Sequence, residues 1–355
     1  MITQQLKANP KVTIEELARE RGYVQRAVFR GAIEVQVATL TIEPGQNLAD
    51  MIEVEWKHAR STGVGGSELP ALYDVHPQVS RYSLFHDKAN GTRVEPDDKD
   101  TAFGVYFEDG TRTWLARELE SEGWELYRPE GRSLLYRPGF IRSLTTLDGW
   151  ASRKVTKPSG TMEVEEAIVE VKVIRPNQFD AWKNGPPLRV QCQVQQYLGV
   201  TGLDLGIVAV ARLGADFKRF EIRRNDVFIR QAQALIEAFW VDVIQGRAPE
   251  FDAHDASCEL AIELAKTLDP TRDMVRLPES AVKIVNELLK GRAMEKEGKA
   301  LSTKAKGQLA AWIGSAPGGL VPDGRCVKHT VSNVAGGLRK TSVRQLFRVD
   351  DESED

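Results

Sequence analysis

The sequence predicts a mixed α/β protein: a small sheet flanked by helices, followed by a helical C-terminal appendage. Three observations predict it. Ala167-Ile-Val-Glu-Val-Lys-Val-Ile174 reads as a buried strand, because five of its eight residues are β-branched and pack well on a pleated surface. Leu205-Gly-Ile-Val-Ala-Val-Ala-Arg212 and Phe217-Lys-Arg-Phe-Glu-Ile222 read as two more strands, with Gly214 and Asp216 at the hairpin tip between them. Segments of helical spacing surround the strands, and Asp226–Gln245 is the clearest. There Ile229, Ala232, Ile236, Phe239, Trp240 and Val243 form one apolar stripe, which Gly246 and Pro249 end. Helices followed by a small sheet that one helix interrupts make a layered core.

In chain order, residues 1–47 read as a separate lead, 48–248 as the main domain and 249–355 as the appendage. The lead holds a helical pattern, Ile14-Glu-Glu-Leu-Ala-Arg-Glu-Arg21, and then an alternating stretch from Ala32 to Ile42. The main domain opens with a helix from Leu48 to Arg60 that leads into Ser61-Thr-Gly-Val-Gly-Gly-Ser67. Another helix follows, with Pro70 in its first turn, where the missing N–H is not needed. Asp97 to Gly123 hold a loop and an amphipathic helix. Strands around Asp148 and Glu170 come next, joined by a hairpin rich in Lys, Pro, Ser and Gly, and a helix from Arg189 to Gly199 leads on to Leu205. In the appendage, Ser280 to Ile313 read as one or two charged helices with a thin apolar stripe, and Val321-Pro-Asp-Gly324 as the turn of a small hairpin. Asp350-Asp-Glu-Ser-Glu-Asp355 reads as a solvated, disordered end.

With 355 residues, 41% hydrophobic and 28% charged, the chain can bury a substantial core. No apolar run approaches the roughly 20 residues of a membrane span, and the polar N-terminus lacks a signal-peptide pattern. Cys192, Cys258 and Cys326 are odd in number and far apart, which fits neither a zinc site nor a disulfide framework. A reducing cytoplasm is therefore the expected compartment. A formal charge of -3 argues against a protein that coats nucleic acid non-specifically. It leaves open an enzyme whose positive charge is confined to a channel around an acidic pocket.

The chemistry gathers around Asp148, in Leu144-Thr-Thr-Leu-Asp-Gly149, and Glu170-Val-Lys172. A strand alternates its side chains, so Glu170 and Lys172 point to one face and Val171 to the other. Converging carboxylates bind hard divalent cations through oxygen. A lysine beside them can orient water or stabilise developing phosphate charge. This is the apparatus of metal-assisted phosphodiester hydrolysis. The short pattern alone is common, since Glu55/Lys57, Asp97/Lys99, Asp216/Lys218 and Glu297/Lys299 repeat it in helices, a polar loop and a hairpin tip. Only Glu170 lies mid-strand with an Asp-Gly strand end upstream, and the plain alternative is a salt-bridged strand edge.

Four further segments occur in fixed order around this set: Trp56-Lys-His-Ala-Arg60, Val64-Gly-Gly-Ser-Glu68, Gly104-Val-Tyr-Phe-Glu108 and Cys192-Gln-Val-Gln-Gln-Tyr-Leu-Gly-Val-Thr-Gly202. Together they resemble the YqaJ-type viral recombinase family, which includes relatives of the phage lambda exonuclease in the PD-(D/E)XK nuclease superfamily. The resemblance covers about residues 50–245 and implies a restriction-endonuclease-like core. It implies Asp148 as the acid shared by two magnesium ions, which manganese can replace. Glu170 and the Val171 carbonyl are then further ligands, and the helix-borne Glu108 serves the other ion. Lys172 positions the water, and Gln193 and Tyr197 lie near the scissile phosphate. Arg60 and Ser67 hold the 5′ phosphate. The implied activity is 5′-to-3′ digestion of double-stranded DNA ends, leaving 3′ overhangs for a single-strand annealing protein in phage or prophage recombination. The implied assembly is a homo-oligomeric ring, with three subunits favoured over four. Position 68 is Glu where many members carry Asp, and the Asp148–Glu170 connection is longer than in compact members.

Taken singly, these residues have plainer readings. Gly63, Gly65 and Gly66 could be a simple turn, and no strand or Gly-Lys-Ser/Thr makes them a nucleotide loop. Glu108 could be a solvated helix residue, Gln193 an ordinary polar face and Trp56 core. Two rivals stand beside the exonuclease: an endonuclease or repair nuclease of the same fold, and a DNA-binding protein with a degenerate site.

Overall fold

The computed structural model describes residues 2–4, 9–37, 48–90, 92–94, 98–129, 131–266, 273–330 and 346–351. They fall into two compact units, Met1–Leu268 and Asp269–Asp355. In the first, β1 (Ile2–Gln4) precedes α1 (Ile14–Arg21), which begins where Thr13 and Glu16 cap each other's backbone N–H groups and ends at Gly22, φ 69°. The hairpin β2 (Val24–Val28) and β3 (Ala32–Gln36) follows. Next come α2 (Leu48–Arg60), the two-residue β4 (Val64–Gly65), α3 (Leu69–Leu72) with Pro70 in its first turn, and α4 (Arg81–Asn90). β5 (Thr92–Val94) pairs with β1. The long α5 (Asp98–Ser121) then leads to β6 (Glu125–Tyr127), β7 (Ser133–Tyr136) and β8 (Ser143–Leu144).

The central sheet is built from β6, β9 (Gly149–Thr156), β10 (Met162–Ile174), β11 (Leu205–Arg212) and β12 (Asp216–Arg223), in the order β12-β11-β10-β9-β6. β10 and β11 are parallel, with Glu170 opposite Val208 and Lys172 opposite Val210, and the other pairs are antiparallel. A parallel pair needs a crossover, and α6 (Leu188–Thr201) supplies it. Alternation then sorts β10 between two cores. Val169 and Val171 pack with Leu115 and Leu119 of α5, whereas Ile168 and Ile174 pack with Val190, Val194 and Leu198 of α6. Glu170 and Lys172 therefore share the α6 side. α7 (Asp226–Gln245), capped by Asn225 and ended by Gly246, buries Ile236, Phe239 and Trp240 against α3 and α4. α8 (Asp255–Ala265) closes the unit.

The N-terminal segment is stitched into this unit. β3 pairs with β7, Ile33 opposite Tyr136, and Ile14 and Leu17 pack with Trp56 and Ala59 of α2. Arg142, at φ 64° and 8% exposed, donates to the carbonyls of Val12 (2.5 Å), Thr62 (2.8 Å), Pro10 and Lys11 (both 3.1 Å). Its guanidinium also lies over the Trp240 ring at 4.7 Å.

The second unit contains α9 (Ala281–Ile313) and the sheet β13 (Gly318–Leu320), β14 (Arg325–Thr330) and β15 (Leu346–Asp351). Residues 280–313 thus give one 33-residue helix, without a buried side chain. The structure differs from the sequence reading at several places. β2 is a strand that the lead's alternation does not announce, and β3 ends at Gln36; residues 38–47 and Asp97 lie outside the described residues. Glu108 lies well inside α5, which already begins at Asp98, so the loop expected after Asp97 is helix. Asp350 and Asp351 are not a free end, because they pair with Cys326 and Arg325; residues 352–355 lie outside the described residues.

Candidate active site

Asp148 stands immediately before β9 because Gly149 allows close approach of β6. A Cβ at Gly149 would lie 2.8 Å from the Tyr127 carbonyl oxygen. Asp148 Oδ2 accepts the Val171 N–H at 2.8 Å, which ties the acid to mid-β10. One residue earlier on β10, Glu170 is 1% exposed and its Oε1 pairs with Lys172 Nζ. The same oxygen accepts a 2.8 Å hydrogen bond from Gln193 Nε2 of α6. Gln193 also donates to the buried Tyr197 hydroxyl at 2.6 Å, as residues one helical turn apart can.

Tyr197 in turn backs the glycine loop. Any Cβ at Gly66 would overlap its ring, so only glycine lets the loop lie against α6. Gln196 holds the same loop from beside it, donating to the carbonyls of Val64 (2.7 Å) and Leu144 (3.0 Å) across the parallel pair β4–β8. Arg60, at the end of α2, reaches Ser67 Oγ at 3.4 Å and Glu68 at 3.7 Å. Glu68 is buried, accepts the Gly65 N–H at 2.7 Å and pairs at 2.9 Å with Lys88, itself 2% exposed. A hydrogen-bonded and packed chain therefore runs from Lys172 through Glu170, Gln193 and Tyr197 to Gly66, Ser67 and Arg60.

Three carboxylates repel one another here. Burial, and next the Asp148 charge, push Glu170 upward. Glu108, which pairs with Arg112 at 3.2 Å, is raised by the same two causes in the same order. Burial, with Glu170 and Asp148 next, drives Tyr197 well above the phenol range and keeps it neutral. Lys172 is raised by its acidic neighbours against the opposing effect of burial, so it is a cation. Among the described residues no three His, Cys, Asp or Glu side chains form a finished ligand cage. The acids are turned instead onto Arg112, the Val171 N–H, Lys172 and Gln193. The set nonetheless fits a hard cation. Its side chains offer carboxylate oxygens, mutual repulsion that a cation relieves, and a Glu170 Oε2 that is buried without a hydrogen-bond partner.

The structure brings Arg60, Ser67, Asp148, Glu170, Val171, Lys172, Gln193 and Tyr197 together, with Glu108 close enough to feel the Asp148 charge. Trp56 is core, 9% exposed, with the Arg60 and Arg132 guanidinium groups over its ring at 4.9 and 4.8 Å. Sequence reasoning missed the Glu68–Lys88 pair, Gln196 and Arg189, whose charge acts on Lys172. Lys88 had a signal: it follows Leu84 and Phe85 at helical spacing on the buried face of α4.

A small mixed sheet flanked by helices, with an acid at the start of one strand, Glu-X-Lys on the next and a helix-borne acid beside them, has a PD-(D/E)XK-like fold. Residues 55–204 match the YqaJ-like viral recombinase domain. The uncharacterized protein YqaJ of Bacillus subtilis (strain 168) is 28% identical over 216 residues, 59% of this chain and 63% of that protein. The chain thus spans under two thirds of that relative's length. Two crystal structures of an alkaline exonuclease (LHK-Exo) from Laribacter hongkongensis, one in complex with dAMP, are similar over 60% of this chain and 99% of theirs. Their identities are 16% and 17%, and their TM-scores 0.41 and 0.42. No helix among the described residues is long and apolar enough to cross a membrane.

Proposed function

We propose that this chain is a magnesium-dependent 5′-to-3′ exonuclease that degrades one strand from double-stranded DNA ends. The observation that carries the reading is the continuous path from the Glu170/Lys172 pair through Gln193 and Tyr197 to Arg60 and Ser67. It joins a hydrolytic group to a phosphate-binding group at one place. Glu108, Asp148, Glu170 and the Val171 carbonyl would hold magnesium ions, or manganese in their place, which would supply the Lewis acidity that phosphodiester hydrolysis needs.

The protein's own groups do the rest. Lys172, fixed by Glu170, orients the attacking water and bears against the negative charge that develops on the phosphate. Gln193 holds Glu170 in place and, through Tyr197, the wall of the phosphate pocket. Arg60 makes charge-assisted contacts to a terminal 5′ phosphate, with the Ser67 hydroxyl beside it. The 3′ overhang left behind is the substrate of a single-strand annealing protein, as in phage-type recombination. A homo-oligomeric ring of three or four subunits around the duplex belongs to the same proposal.

Linear duplexes carrying a 5′ phosphate or a 5′ hydroxyl, and an intact circle, test the reading. The phosphorylated ends should be digested much faster, Arg60→Ala should erase most of the difference, and the circle should survive. Cleavage of the circle would instead establish an endonuclease.

A further inference from the structure

α9 presents a surface that the site described above does not use. Over its 33 residues no side chain is buried. Arg292, Lys296, Lys299 and Lys306, with Thr303 between the last two, follow one another at intervals of four and three residues. That spacing places them on a single helix face. All four cations are exposed, and among the described residues none is in an ion pair. Of the nearby acids, Glu297 falls on the opposite half of the helix circumference, whereas Glu295 borders the stripe one turn from Arg292 and Lys299, which leaves the four cations in excess. The helix as a whole carries seven Lys and Arg against three Glu in a chain whose net charge is -3, so positive charge is concentrated here.

We propose that this stripe of α9 binds the sugar–phosphate backbone of duplex DNA without reading its sequence. Fourteen residues of helix separate Arg292 from Lys306, about 21 Å at ~1.5 Å per residue. That length exceeds the roughly 12 Å width of the major groove, so the row can engage phosphates on both of its walls. The stripe offers ammonium and guanidinium groups, since the Thr303 hydroxyl donates to the Lys299 carbonyl at 2.8 Å. Lysines dominate it, and an ammonium is a point charge suited to phosphate oxygens, so the stripe positions DNA by its backbone. An enzyme that starts at any end needs that kind of grip, and in this respect the inference rests on the proposed exonuclease. The opposite face carries Met294, Leu301 and Trp312, each at least 61% exposed, so a lipid surface is the competing occupant to be tested.

The test uses the full chain, R292Q/K296Q/K299Q/K306Q, and K304Q as a control on the flank of the helix. Glutamine has nearly the helix propensity of lysine, and circular dichroism verifies that the helix persists. Equilibrium binding to a blunt duplex without divalent cation is followed from about 50 to 200 mM salt. Each lost phosphate contact lowers the slope of log K against log salt by about 0.9, so the fourfold variant should lose a slope of about 3 to 4. K304Q should stay within about one contact of the unaltered chain. An unchanged slope in the fourfold variant, or no duplex binding by the unaltered chain, overturns the proposal. So does uptake onto anionic phosphatidylserine vesicles, with a blue-shifted Trp312 emission, alongside unchanged DNA affinity. Because binding is measured without cleavage, failure of the nuclease reading is seen separately, as absent digestion by the unaltered chain in magnesium.

Discussion

Lys88→Met should destabilise the first unit far more than loss of a surface charge. Lys88 Nζ lies 2.9 Å from Glu68 Oε2, and the two side chains are 1% and 7% exposed. Removing one partner leaves a carboxylate buried against the Gly65 N–H, with the Arg60 guanidinium at 3.7 Å. Breaking a buried pair this way costs about 3–5 kcal/mol. With a urea slope near the upper end of ~1–3 kcal/mol per molar, the unfolding midpoint should fall by about 1 to 2 M. The double variant Glu68→Gln/Lys88→Met removes both charges and keeps an acceptor for Gly65, so most of the loss should return. Urea unfolding of the unaltered chain, the single variant and the double variant decides it. A single-variant loss under about 1 kcal/mol, the range of exposed ion pairs, would refute the reasoning.

Lys172→Ala should cut turnover on duplex ends by about 10²–10³ while binding persists, read by single-turnover digestion and filter binding; unchanged turnover would return Glu170 and Lys172 to a structural strand edge. Gly66→Ala should cost about 1–3 kcal/mol and lower activity, because the new methyl displaces the Tyr197 ring, and thermal melts with a digestion assay measure both. Glu170 is raised from its ordinary 4.5 to about 8, by burial first and Asp148 second. Folded protein then binds more protons than unfolded, so stability present below about pH 4.5 is lost as pH rises through about 8. Without divalent cation, melting temperatures should therefore fall across that window, and less in Glu170→Gln; an equal fall in both would refute the assignment.

Much of this was legible because backbone rules act locally. The β-branched run 167–174 became β10, and the stripe from Ile229 to Val243 became the buried face of α7. Gln193 and Tyr197, four apart on a helix, meet as spacing requires. Asp148 was marked by Gly149, whose role is the close approach of β6. The illegible parts depend on contacts distant in sequence. Arg142 holds a left-handed backbone usually left to glycine, and only its four carbonyl partners across the lead and Thr62 account for it. The Glu68–Lys88 pair buries two charges, which polarity patterns assign to the surface. The close packing of β3 on β7 likewise joins a lead that reads as separate.

The central claim is that Asp148 before β9, Glu170 on β10 and Glu108 on α5 form the site that hydrolyses DNA from its ends. Its most direct test is digestion of a 5′-phosphorylated linear duplex, labelled at either end, by the unaltered chain and by Asp148→Asn in magnesium. The account predicts progressive loss from the 5′ ends with the unaltered chain, and none with Asp148→Asn at unchanged folded content. Digestion that survives Asp148→Asn, or an unaltered chain that leaves the duplex intact, would contradict it.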